Sequence, residues 1–180
     1  IYCLNGDKIS NYTTKDGLPS NIVRSICEDL QGNIWFGTEG GGLACFKDGK
    51  FTIYNEKNGL SGNTVLSIYL DKDGYLWIGT QDGINRFKDG EFFLYSIKSG
   101  LFNDVAFQIL TDDKENFWIS CNKGIYQVSR QDLMDYANGK ISRITYRAFS
   151  KADGMETNQC NGNSQPAGCK SLDGRLWFPT

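Results

Sequence analysis

Asn33-Ile34-Trp35-Phe36-Gly37-Thr38 is the stretch that decides the fold. It returns as Tyr75-Leu76-Trp77-Ile78-Gly79-Thr80, more loosely as Asn116-Phe117-Trp118-Ile119-Ser120-Cys121, and last as Arg175-Leu176-Trp177-Phe178-Pro179-Thr180. All four tryptophans of the 180-residue chain lie in this phrase, at steps of 42, 41 and 59 residues. A large apolar side chain at a fixed period of about 40 residues marks a repeat architecture.

Outward from Trp35, the first full repeat covers 16–55. It opens on Asp16-Gly17-Leu18-Pro19-Ser20-Asn21 and continues with a strand over 22–28 and a turn at Asp29-Leu30-Gln31-Gly32. After the Trp35 strand come a glycine turn, a strand over 43–47, an Asp48-Gly49 turn and a strand over 51–55. Asp-Gly favours a tight hairpin because Gly reaches positive φ without penalty and Asp bonds its own turn. The second repeat, 59–96, follows the same order. The third, 100–149, leaves it at 130–137, where Arg130-Gln131-Asp132-Leu133-Met134-Asp135-Tyr136-Ala137 lacks alternation and suits a short helix. Residues 1–12 and 153–180 read as half repeats. Four short antiparallel strands per period make one β-propeller blade. The expected fold is therefore all-β: three full blades and two half blades, an arc of a roughly seven-bladed ring or, alternatively, a closed ring of four. With no initiator Met and both ends in mid-pattern, the chain reads as an excerpt.

Aromatics at 13% and 21 glycines against 3 prolines agree with an all-β chain. A net charge of −2 without a basic run argues against nucleic acid. No apolar stretch approaches the ~20 residues of a membrane span. His is absent, which removes histidine catalysis and histidine metal ligation. The six cysteines, at 3, 27, 45, 121, 160 and 169, form no Cys-x-x-Cys pair, so neither zinc nor any other metal or cofactor is expected. They read as small core hydrophobes, with Cys160–Cys169 the disulfide candidate in an oxidising compartment. Asp71-Lys72-Asp73-Gly74 resembles the start of a calcium loop but lacks the distal Glu and the helix, so a hairpin turn is preferred.

Aligning the repeats separates constant positions from varying ones. Trp35, Trp77, Trp118 and Trp177 are expected to fill the wedge between blades, with the Gly-Thr after them letting the strand turn. Ile26, Ile68 and Ile109 match, as do Asp29, Asp71 and Asp112, which should hold their turns. Arg24, Leu66 and Phe107 differ at one equal position, and Cys27, Tyr69 and Leu110 at another. A scaffold gives no reason for such variation, so these are better candidates for specificity.

The phrases Asp16-Gly17-Leu18-Pro19-Ser20-Asn21 and Asp29-x-x-Gly32-Asn33-Ile34-Trp35-Phe36-Gly37-Thr38 closely resemble the two-component regulator propeller repeat. The match runs through three repeats and two halves, and 153–180 looks like the last repeat of such a propeller. Repeat three departs at Ser120-Cys121 and at Glu115, which replaces the turn glycine. The resemblance implies the extracytoplasmic, periplasmic sensor region of an inner-membrane hybrid histidine kinase or related cyclase sensor. It implies further blades and an immunoglobulin-like domain after this segment, no membrane contact by the segment itself, and oligosaccharides among the ligands.

The leading expectation is thus a ligand-sensing module that is not itself an enzyme. Its ligand would meet loops at the channel mouth, where Asn21, Asn63, Asp104 and Asn158 recur beside Arg24, Leu66, Glu39, Gln81, Asp82, Asn122, Phe102 and Phe107. Against this, recurring Asn and Asp often hold only their own loops. A scaffold or homodimerisation surface is the second reading. A polysaccharide lyase or glycosidase is the third, weakened by carboxylates that recur only in hairpin turns.

Overall fold

A computed structural model describes residues 1–162 and 165–180. Asn163 and Ser164, in the polar stretch 158–165, lie outside the described residues. A hairpin, β1 (Tyr2–Asn5) and β2 (Lys8–Asn11), precedes the first blade. That blade is an antiparallel meander of β3 (Val23–Glu28), β4 (Ile34–Thr38), β5 (Leu43–Lys47) and β6 (Lys50–Tyr54). The second contains β7 (Val65–Leu70), β8 (Leu76–Thr80), β9 (Ile84–Lys88) and β10 (Glu91–Tyr95). The third contains β11 (Gln108–Thr111), β12 (Asn116–Cys121), β13 (Gly124–Ser129) and β14 (Tyr146–Phe149). Helix α1 (Arg130–Ala137) lies between β13 and β14, where broken alternation places it. Strands β15 (Cys169–Lys170) and β16 (Leu176–Trp177) form the final hairpin. The first strands of successive blades, β3, β7, β11 and β15, pack on one another and form the inner wall of an arc.

The hairpin turns need left-handed backbone. Asp48 (φ 49°) with Gly49 (φ 78°) and Asp89 (φ 52°) with Gly90 (φ 89°) join β5 to β6 and β9 to β10, the two-residue geometry whose twist matches the strands. Glu115 adopts φ 60°, so the third turn keeps the shape of those at Gly32 and Gly74 despite its side chain. The final hairpin is shorter than the expected strand over 167–172, pairing only Cys169 with Trp177 and Lys170 with Leu176.

The core lies between blades rather than within them. Trp35, Leu43, Leu60, Val65, Leu76 and Phe87 are buried between the first two. Trp77, Tyr95, Ala106, Ile109, Phe117 and Leu133 are buried between the next two. Trp35 meets Phe87 edge-on at 5.2 Å, and Trp77 meets Phe117 at 4.7 Å. Trp118 is partly buried and stacks on Phe149 of its own blade at 5.2 Å. Trp177, placed in a wedge by the sequence reading, is 55% exposed because no further blade packs on it here.

Gly37 and Gly79 do not turn their strands, contrary to the expectation for Gly-Thr. They sit inside β4 and β8 because there is no room for a side chain. A Cβ at Gly37 would lie 2.3 Å from Ser25 Oγ and 2.6 Å from Val65 of the next blade. The threonines do the turning, since Thr38 and Thr80 donate their hydroxyls to the Gly42 and Gly83 carbonyls at 2.8 and 2.9 Å.

All six cysteines are free. Cys45, Cys121 and Cys160 are buried, as small core residues should be, but Cys3 and Cys169 are exposed. The expected Cys160–Cys169 bridge is not formed, because Cys160 turns into the interface with the third blade while Cys169 faces out.

Candidate functional site

At one end of the arc, the segments entering each blade meet the turns between its second and third strands. Backbone bonds join them: Glu39 N–H donates to the Ile22 carbonyl at 2.9 Å, and Gly42 N–H to that of Asn63 in the next blade at 2.8 Å. Each entering segment starts with one turn of 3-10 helix, at Thr14–Asp16, Glu56–Asn58, Ile97–Ser99 and Lys151–Asp153. Each carries a reciprocal capping box and ends on a left-handed glycine, Gly17, Gly59, Gly100 or Gly154. Two orphan N–H groups are satisfied by each box. The alignment of Thr13, Asn55, Ser96 and Ser150 with Asp16, Asn58, Ser99 and Asp153 carried this signal, and the sequence reading missed it.

Those turns explain the recurring amides. Asn21 Oδ1 accepts from the Thr14 N–H at 3.1 Å, Asn63 from Glu56 at 3.1 Å, Asp104 from Ile97 at 2.7 Å and Asn158 from Lys151 at 2.8 Å. Each side chain closes its own loop by reaching back seven residues. The varying residues are placed differently. The pairing of β3 with β4 shifts between Val23 and Ser25, and that of β7 with β8 between Val65 and Ser67. Arg24 and Leu66 are the extra residues of these bulges, a device that re-aims a side chain at a sheet rim. Phe107 holds the equal position just before β11, its N–H donating to the Ser120 carbonyl at 2.9 Å.

Arg24 grips Glu39 with Nε at 3.0 Å and Nη2 at 2.5 Å of one carboxylate oxygen. It lines a groove of about 320 Å³ with Ser25, Ile26, Ser67, Ile68, Gln108, Gln165 and Pro166. Gln165 reaches across to donate to the Leu66 carbonyl at 3.1 Å. A second recess of about 310 Å³ lies beside Phe107, against Gln159, Cys160, Asn161 and Gly162. Leu66 is itself buried, so only its carbonyl takes part in the rim. Gln81 and Asp82 are exposed on the second blade's turn, with the Asp82 N–H held by Thr80 Oγ1 at 3.0 Å. Asn122 accepts from Asn103 at 2.9 Å. Phe102 packs on Tyr126 and Tyr146, which removes it from the rim. Glutamines 108 and 165 were missed because neither falls in a recurring motif.

Another cavity, of about 500 Å³, is a different kind of space. Trp118, Ile125, Phe149, Met155, Leu176 and Phe178 line it, between the third blade and the final hairpin. It is the wedge that Phe87 and Phe92 occupy in front of Trp35, and we read it as packing space.

The far end of each blade is electrostatically closed. Asp29, Asp71 and Asp112 each accept the indole N–H six residues on, at 2.8, 2.8 and 2.9 Å, and two backbone N–H groups of the turn. In the last repeat Ser171 takes the indole at 3.2 Å. Burial raises the Asp112 carboxyl, but the bonds from Trp118, Asn116 and Lys114 outweigh it and hold the pKa down at about 2. Asp71, in the calcium-like turn, is further occupied by Arg130 at 2.7 Å. Among the described residues no group of three or more His, Cys, Asp or Glu is arranged to hold a metal ion. No helix among them is long and apolar enough to cross a membrane.

Comparison with known proteins agrees with this geometry. The sequence model of the two component regulator propeller family matches residues 17–40 and 59–82, the entry and Trp phrase of the first two blades. No curated protein matches the chain. One solved extracellular domain, of a B. thetaiotaomicron protein described as a hybrid two component system, matches with a TM-score of 0.77 at 25% identity. The match covers 96% of this chain and 23% of that one. The extracellular domain of a B. thetaiotaomicron one component system matches at 0.74 and 24% identity, over 94% and 25%. Virginiamycin B lyase from Staphylococcus aureus shares the fold at 0.57 and 16%, over 87% and 48%. The chain thus spans about a quarter of the length of the sensor domains it matches.

Proposed function

From a chain that carries two-component regulator propeller repeats, we infer part of an extracytoplasmic sensor propeller, periplasmic and belonging to a membrane-anchored signalling protein. Its rim would bind a small ligand, of which an oligosaccharide fits the chemistry best. The observation that supports this reading is the placement of Arg24, Leu66 and Phe107. Of the three residues that differ between otherwise equal blades, Arg24 and Leu66 stand at bulges of the innermost strand and Phe107 holds the same position in the third blade. There a guanidinium, two glutamines and an aromatic ring border adjoining recesses. Planar donors and acceptors beside a ring suit sugar hydroxyls and their apolar faces. Signalling would require the ligand to favour one arrangement of the sensor over another.

A catalytic reading has less support. The lyase of similar fold is catalytically inactive when one of its histidines is replaced by alanine, and this chain contains no histidine. The aspartates that recur are consumed by indole and backbone donors at the opposite end.

The test uses the whole extracytoplasmic region of the protein that carries this chain. Calorimetric titration with defined oligosaccharides, with the same mixtures assayed for cleavage, should give saturable binding without turnover. Arg24→Ala should weaken that binding about tenfold or more, as loss of a partly buried polar anchor does. Cleavage products, or binding indifferent to Arg24, Phe107 and Gln165 together, would refute the assignment.

A further inference from the structure

The third blade and the final half blade each depart from the repeat at one position, and the two positions touch each other. Cys121 stands where the other repeats have Thr38, Thr80 and Thr180, and Cys160 where they have Val23, Val65 and Ala106. In the preceding interface the Ala106 N–H donates to the Thr80 carbonyl at 3.0 Å; here the Cys160 N–H donates to the Cys121 carbonyl at 3.2 Å. A direct backbone bond brings the two residues close enough for their Cα atoms to fall within the roughly 4.4–6.8 Å that a disulfide spans. Both thiols also address one turn: Lys123 N–H donates to Cys121 Sγ at 3.4 Å, and Cys160 Sγ donates to the Gly124 carbonyl at 3.6 Å. That carbonyl is equivalent to those the Thr38 and Thr80 hydroxyls bond in the first two blades. Cys160 thus reaches over from the next half blade to the same turn that Cys121 addresses.

We propose that Cys121 and Cys160 are a bridging pair, joined by a disulfide that staples the third blade to the final one. The inference rests on the extracytoplasmic placement argued above, since a disulfide persists only where the surroundings are oxidising. The oxidant is a thiol-exchanging disulfide, small or protein-borne. One thiolate attacks it and releases the first thiol, and the second thiolate then attacks the mixed disulfide and releases the other. Two protons leave the cysteines and two reduced thiols leave the oxidant. Both cysteines are fully buried, at 0% and 2% exposure, and burial raises both thiols, Cys121 to about 11. Thiolates are therefore scarce once the interface has closed, and the bridge forms as the blades come together.

The test is refolding of the full-length extracytoplasmic region in an oxidised and reduced glutathione buffer, followed by alkylation in denaturant and non-reducing peptide mapping. A linked pair of peptides containing Cys121 and Cys160, lost on reduction, is expected. Cys169→Ser, at an exposed position, should leave the link intact, and Cys121→Ser should leave Cys160 alkylated. Recovery of both cysteines as alkylated monomers, or Cys160 joined to Cys169, overturns the proposal. Because the oxidant is supplied in the buffer, this result is independent of where the protein resides. Cell fractionation tests the placement separately.

Discussion

Trp77 shows how one residue type serves unequally at equal positions. Its ring stacks on Tyr95 at 5.7 Å, meets Phe117 of the next blade edge-on at 4.7 Å and donates its N–H to Asp71 at 2.8 Å, with no exposure at all. Trp77→Ala should lower unfolding free energy by about 3–5 kcal/mol, read from the urea midpoint. Trp177→Ala, at an exposed ring, should stay within about 0.5 kcal/mol. Equal losses at both sites would contradict the wedge as the source of stability. Asp112 provides a pH test at the same scale. Its folded carboxyl stays ionised down to about 2, against an ordinary value of 3.8 in the unfolded chain. Its contribution is therefore complete above 3.8 and lost as the pH falls toward 2. Asp29 is lowered too, burial being outweighed by the Trp35, Asn33 and Gln31 bonds, so it adds in the same direction. Thermal melts from pH 5 to 2 should show acid sensitivity that Asp112→Asn reduces, from a less stable start.

At the scale of elements, α1 is an insertion that leaves the blade plan, and it acts as a clamp. Ser129 caps it, Leu133 is fully buried, and Tyr136 packs near Phe93 and Tyr95 of the preceding blade. Its first residue, Arg130, reaches back to Asp71 at 2.7 Å and Asp73 at 2.6 Å. The Asp71 side chain is only 2% exposed, so removing its partner leaves a buried charge. Arg130→Met should cost about 2–3 kcal/mol, somewhat less than for an isolated buried pair because Trp77 and two backbone N–H groups still serve the carboxylate. The neighbouring inter-blade pair, Lys72 with Glu115, is exposed and screened by solvent, and Lys72→Met should leave the urea midpoint unchanged. Double-mutant denaturation curves would separate the two. The sequence made the helix legible through lost alternation, but not its partner, because Arg130 and Asp71 are brought together only by the stacking of blades.

Across the whole molecule, what could be read early is what repeats. The Trp phrase, the Asp turns and the bulged position all follow from comparing one period with the next. Residues fixed by the closing of one repeat on another escaped, as with the Gln165 contact to Leu66 and the Cys121–Cys160 contact. Glu115 shows the converse: a side chain foreign to its turn changes nothing, because the Asp112 bonds and the strand register dictate the left-handed backbone there. The repeat plan also has an energetic consequence. Each blade is stabilised mainly by its neighbours, as in other repeat assemblies whose stability is a sum of unit and interface contributions. The second blade has a buried cluster on either side, whereas the β1–β2 hairpin leaves Tyr2, Leu4 and Ile9 more than half exposed and β15–β16 leaves Trp177 so. Native-state hydrogen exchange on this chain should therefore be slowest in β7 and β8 and fastest in the two terminal hairpins. Reduction of the Cys121–Cys160 link should accelerate exchange in the final hairpin and leave β7 and β8 unchanged. Uniform protection along the chain would mean that it unfolds as one unit, and that the interfaces do not carry the stability assigned to them.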